Sequence, residues 1–149
     1  MILDMERLVD IFKRYGISIA YLFGSQKDVG LNYLLGKEVR ISETSDLDIG
    51  LLLKSYPSDM YRFYGDLYYE LSMVLEPLEV DITFLNEVDY LMKYEIITGY
   101  RIYAEDETFV DEYEEIVMKI ASDLAFKQRL FEKDFLEAIE NGHFEIELK

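Results

Sequence analysis

The sequence predicts an α/β (α+β) domain in which short strands are interleaved with helices and the last element is one long helix. Three observations carry that prediction. Apolar runs of strand length recur at Ile17–Phe23, Leu47–Leu53 and Glu79–Phe84. Around them, apolar residues fall three or four apart, the spacing of a helix with one buried face. From Glu107 the helical period continues to about Glu140. At 149 residues the chain, 1–149, is most simply a single domain, long enough to bury about two thirds of its unfolded surface.

Leu3 to Tyr15 reads as a helix with Met5, Leu8, Phe12 and Tyr15 on one stripe, and Gly16 stands where a C′ residue would. Ile17–Phe23 follows as a short buried strand. Twenty residues, Gln26 to Ser45, then separate Gly24-Ser25 from the next motif. Within them Gly30, Asn32 and Gly36 flank Tyr33-Leu34-Leu35, which reads as a hairpin or lid outside the core, at about residues 29–42. Leu47–Leu53 is the second strand. Tyr56-Pro57-Ser58-Asp59 signals a turn and a helix start. The helix from Met60 to Leu75 sets Met60, Tyr64, Leu67, Leu71 and Val74 on one face, read as packing residues and not as a base-stacking platform. Glu76-Pro77 ends it, and Glu79–Phe84 is the third strand. A short helix from about Glu87 to Thr98 stops at Gly99, and Tyr100–Tyr103 has edge-strand character. The helix from Glu107 to Glu140 carries Tyr113, Val117, Ile120, Leu124, Phe131 and Phe135, with Asn141-Gly142 as its stop.

Composition removes several function classes. There is no cysteine, which excludes disulfides, thiol catalysis and cysteine zinc sites and suits a cytoplasmic protein. The single histidine, His143, is expected to be exposed and uninvolved, so neither a serine-hydrolase triad nor a zinc site can be assembled. No apolar run approaches the roughly 20 residues that span a bilayer, and the mixed charges of the N-terminal residues do not read as a signal peptide. The net charge is −16, and residues 105–149 alone carry 14 acids against 5 bases. A surface so acidic is expected not to bind nucleic acid, which requires clustered Lys and Arg. It suits a solvated acidic face or a basic partner.

The chemistry concentrates between Tyr21 and Leu53. Aspartate is depleted in strands, yet Asp46 and Asp48 sit at the head of the apolar run Leu47–Leu53. In a strand they project from one face while Leu47 and Ile49 project from the other. Two carboxylates side by side repel each other, and a hard divalent cation such as Mg²⁺ removes that cost. Upstream, Gly24-Ser25 ends a strand and can present N–H groups and a hydroxyl to phosphate oxygens. A third acid, Asp81, lies in the strand Glu79–Phe84. Phosphate at one end and carboxylates at the other make a site for a metal-bound nucleoside triphosphate.

The motifs LFGS, SDLDIGLLL and VDITFL, in that order, resemble the minimal nucleotidyltransferases of the polymerase-β-type superfamily, and most closely the MNT antitoxins that pair with HEPN-type toxins. The similarity continues through FLNEVDYLMKYEIITGYRIYAEDE. It implies the minimal nucleotidyltransferase fold, a small mixed sheet flanked by helices. It implies that Asp46, Asp48 and Asp81 hold two Mg²⁺ ions and serve catalysis, with Asp81 helping to remove the acceptor proton. Gly24 and Ser25 would hold the β- and γ-phosphates of ATP, with Lys27 as a further phosphate contact. The implied reaction transfers AMP to a tyrosine of a HEPN-type RNase toxin. The chain departs from the pattern in two ways: the spacing from Ser25 to Asp46 is about twice the usual one, and Gln26-Lys27 replaces the customary arginine. Lys27 and Arg40 are the candidate substitutes. Three other readings stay open: transfer to a small cationic molecule such as an aminoglycoside, neutralisation by masking without catalysis, and a degenerate fold that has lost phosphate binding.

Overall fold

A computed structural model of the chain describes residues 2–41 and 45–142. In order it contains α1 (Ile2–Arg14), β1 (Ile17–Phe23), α2 (Lys27–Leu34), β2 (Leu47–Leu53), α3 (Met60–Leu75), β3 (Val80–Phe84), a 3₁₀ turn (Leu85–Glu87), α4 (Tyr90–Ile97), β4 (Tyr100–Ala104) and α5 (Glu107–Glu140). The sheet order is β3-β2-β1-β4. Strand β1 runs antiparallel to both β2 and β4, whereas β2 and β3 are parallel. A parallel neighbour needs a long crossover, and α3 supplies it.

Helices cover both faces, which explains why every residue of β1 is buried. On one face Leu8 and Phe12 of α1, Leu34 of α2, and Leu67 and Leu71 of α3 pack on Leu22, Ile49 and Ile82. On the other, Ile96 of α4 and Val110 of α5 pack on Ile19, Tyr21 and Leu52. The hydroxyl of Tyr21 donates to Glu114 of α5 at 2.7 Å. Arg101 of β4 meets the same carboxylate at 3.4 Å and Glu107 at 3.2 Å, tying α5 to the sheet. Asn86 finishes the end of β2: its side chain accepts from the Leu53 N–H at 2.8 Å and donates to the Leu53 carbonyl at 3.0 Å.

The expected hairpin or lid is corrected over Lys27–Leu34, which form a helix against the sheet. Leu34 is 2% exposed and belongs to the main core. Gly30 reads as a turn residue in sequence, yet its role is close approach. A Cβ there would stand 2.5 Å from Leu47 Cδ1 and 3.3 Å from Leu22 Cδ1. Glycine within a helix costs about 1 kcal/mol relative to alanine, and here its missing side chain lets α2 lie on β1 and β2. Ser42, Glu43 and Thr44 fall outside the described residues, as does His143.

Two other boundaries shift. The short helix begins at Tyr90 and not near Glu87, because Asp89 caps it by accepting from the Met92 N–H at 2.8 Å. Helix α5 stops at Asn141-Gly142 as expected, with Gly142 at φ +69°. Its apolar stripe is buried only in the first half, at Val110, Val117 and Ala121. At 1.5 Å per residue α5 is about 51 Å long and α4 about 12 Å. The stripe therefore outruns its cover, leaving Leu124, Phe131 and Phe135 exposed. Among the described residues no helix is long and apolar enough to cross a membrane.

Candidate active site

Strand pairing assembles the predicted residues. Phe23, the last residue of β1, pairs with Asp48, so Gly24 is delivered to the Asp48 carboxylate. Gly24 has φ +77°, a conformation that L side chains rarely adopt, and a Cβ at this position would overlap Asp48 Oδ2. In the parallel pair Asp48 lies opposite Asp81, and residues in register project from the same face. Asp46 sits just ahead of β2, and both Asp46 and Asp81 are exposed while Asp48 is half-buried.

Burial raises the pKa of Asp48 above the usual carboxylate range, and the charges of Asp81, Asp46 and Glu95 raise it further. All four influences disfavour the anion. Glu95, from α4, was not a sequence candidate; nothing in its local pattern separates it from a surface charge. Among the described residues, no group of three or more His, Cys, Asp or Glu side chains is placed to hold a metal ion as it stands.

The end expected to hold phosphate has a feature that sequence reading missed because α2 was not recognised as a helix. The chain turns at Gly24, whose carbonyl accepts from the Lys27 N–H at 3.4 Å, and α2 starts immediately. Its N-cap residue, Gln26, makes no side-chain capping bond. First-turn N–H groups of a helix have no partner within it and favour anions. Ser25 lies exposed beside them. Lys27 is at the first position of α2, with its Nζ 5.4 Å from the centre of the Tyr100 ring. The Tyr100 hydroxyl donates to Asp28, which ties the first turn of α2 to β4. Arg40 is exposed beyond α2 and has no recorded contact with the three acids.

At the other end, Tyr64 of α3 lies beside the β3 edge, on the face where Ile82 and Phe84 pack and opposite the one from which Asp81 projects. Burial raises its pKa, with smaller contributions from the charge of Asp81 and from Tyr68. The helical stripe assigned Tyr64 to the core, but it is 38% exposed and stands at the rim, stacked on Tyr68 with ring centres 6.1 Å apart.

Residues 6–108 match the family described as Polymerase beta, Nucleotidyltransferase. No curated protein is significantly similar in sequence. Among solved structures, the chain is similar to one in the complex of tri-AMPylated Shewanella oneidensis HEPN toxin with MNT antitoxin, at a TM-score of 0.61 and 14% identity over 90% of this chain and 97% of that one. It is also similar to a chain of a toxin–antitoxin complex with AMP-PNP, at a TM-score of 0.61 and 16% identity, covering 89% and 98% respectively. For a chain of the MntA-HepT toxin–antitoxin the TM-score is 0.61 at 14% identity, with coverage of 91% and 99%. At these identities the likeness is one of fold. The family match spans more than half of the chain and takes in Gly24, Asp46, Asp48 and Asp81 together. The chain belongs to the polymerase beta nucleotidyltransferase family.

Proposed function

We propose that this chain is a Mg²⁺-dependent nucleotidyltransferase that transfers AMP from ATP to a tyrosine hydroxyl of a HEPN-type toxin and so acts as its antitoxin. The observation that carries this reading is the register across β1, β2 and β3, which aligns Gly24, Asp48 and Asp81. The acceptor is supported by the similar structures, one of a tri-AMPylated HEPN toxin with its MNT antitoxin and one with AMP-PNP. A reaction that consumes ATP with free Mg²⁺ suits a protein of the cytoplasm.

Asp46, Asp48 and Asp81 would hold two Mg²⁺ ions. The donor set fits, because hard cations take carboxylate oxygens, and burial, followed by the charges of Asp81, Asp46 and Glu95, disfavours the Asp48 anion that a cation would stabilise. Held there, Mg²⁺ would lower the pKa of the acceptor hydroxyl and offset charge developing on the phosphates. Gly24, Ser25, Lys27 and the first N–H groups of α2 hold the β- and γ-phosphate oxygens. Asp81 takes the proton from the tyrosine Oη as that oxygen bonds to the α-phosphorus. The bond from the α-phosphorus to the bridging oxygen breaks, and pyrophosphate leaves on the phosphate side. A phenol has a pKa of about 10, so this transfer requires no histidine.

The test is the intact mass of a HEPN-type toxin after incubation with the protein, ATP and Mg²⁺. AMP-sized increments mapping to tyrosine are expected. Silencing of the toxin with no change in mass would replace catalysis with masking. A second expectation concerns Tyr100. Tyr100→Ala removes the ring under Lys27 and the tie to Asp28, and should raise the KM for ATP about three- to tenfold, the scale of a cation–π contact, with kcat little changed. Tyr100→Phe keeps the ring and should show less. Equal effects of the two variants would assign the role to the hydroxyl alone.

A further inference from the structure

The sheet order leaves β3 at an edge, and this edge strand carries Asp81. The Leu47 N–H donates to the Glu79 carbonyl at 2.8 Å. Main-chain groups alternate sides along a parallel strand, so those of Glu79, Asp81 and Thr83 face β2, while those of Val80, Ile82 and Phe84 face outward. The Phe84 carbonyl is taken by the first bond of the 3₁₀ turn that it caps, and the outward groups of Val80 and Ile82 have no strand beside them. An edge of this kind is a template for another extended chain. Five residues of β3 present about 16 Å of it.

A groove of about 590 Å³ runs along this edge, walled by Tyr61 and Tyr64 of α3 and by Phe84 and Val88. Tyr64 packs edge-on to Phe84 with ring centres 6.2 Å apart. Tyr61 is 93% exposed, so no packing within the described fold accounts for its ring. Glu87 lines the groove as well, and Asp81 projects from the opposite face of the same strand, in register with Asp48. Three features thus share this strand: outward main-chain groups along its edge, an aromatic wall on one face, and on the other face the carboxylate expected to receive the acceptor's proton. An added strand alternates its side chains between those two faces.

We propose that the free edge of β3 and the groove beside it dock an extended polypeptide segment as an added strand, carrying the acceptor tyrosine past Asp81. The main-chain edge gives affinity and the Tyr61–Tyr64 wall reads alternate side chains. The acids at Asp81 and Glu87, on a chain of net charge −16, favour a segment with a basic residue near its tyrosine. The inference rests on the proposed transfer to a protein tyrosine and specifies where that protein enters.

The experiment uses the full chain, a HEPN-type toxin, ATP and Mg²⁺, with Tyr61→Glu, Tyr64→Ala and wild type compared. Tyr61→Glu leaves the core untouched. It should raise the KM for the toxin at least tenfold, leaving the KM for ATP and the thermal shift with Mg²⁺ and ATP unchanged. Amide exchange should slow at Val80, Ile82 and Phe84 when the toxin binds. An unlabelled toxin with wild-type protein would defeat the transfer reading itself. Labelling that proceeds undiminished in Tyr61→Glu, with no slowing at Ile82, would overturn the edge proposal alone. A raised KM for ATP in Tyr64→Ala, with toxin KM unmoved, would overturn it too, by showing that the groove holds the nucleobase.

Discussion

Asp48→Asn is expected to abolish AMP transfer, by a factor on the order of 10³ or more, the scale of losing a preorganised electrostatic contact in the transition state. The substitution is nearly isosteric, so contact with Gly24 and the pairings to Phe23 and Asp81 survive. What disappears is the central negative charge of the site. Saturating ATP with Mg²⁺ should stabilise the wild type by about 2.7 kcal/mol at a hundredfold excess over Kd, or roughly 5–10 °C in a domain of this size. ATP with EDTA should not, and Asp48→Asn should lose the shift. An unchanged shift in that variant would remove Asp48 from the metal assignment. Without nucleotide the variant should be at least as stable as wild type near neutral pH. The folded pKa of Asp48 is raised, so ionisation opposes folding, and its cost grows as pH climbs from the ordinary carboxylate range through the raised value. The advantage of asparagine should therefore vanish in acid.

Leu34→Ala should destabilise the protein by about 2–5 kcal/mol, the cost of truncating a fully buried leucine, and lower its Tm by roughly 5–15 °C. Adjacent Leu35 is 59% exposed, and Leu35→Ala should change stability by no more than about 0.5 kcal/mol. The contrast between neighbours tests the helix directly, because a mobile lid would make the two substitutions alike. Loosened α2 packing should also weaken ATP binding, since the helix's first turn is the proposed phosphate end.

The acids and Gly24-Ser25 could be read from sequence because each departs from its local background: aspartates in an apolar strand, and a glycine ending one. Asp81 could be named as a third acid on another strand, but the parallel pairing that sets it opposite Asp48 was not in the pattern of either strand. Helix α2 was hidden by Gly30, Asn32 and Gly36, which look like turn residues until Leu47 and Leu22 are seen against Gly30. Tyr64 kept perfect core periodicity, yet β3 is the last strand and the sheet ends before covering it. Periodicity reports which residues share a face; it carries no information about how far the opposing layer extends. The exposed second half of the α5 stripe is the same lesson on a larger scale.

The order β3-β2-β1-β4 also divides the site into parts of unequal firmness. The turn at Gly24, proposed to hold the phosphates, issues from a strand paired on both sides and buried throughout. Asp81 sits on a strand paired on one side only. Free energies of local opening follow such differences, so under mild denaturant β3 amides should exchange well before those of β1. A protein partly loosened in this way would still grip a triphosphate after losing its acceptor side. Nucleotide occupancy and transfer would then decline at different denaturant concentrations, with transfer failing first.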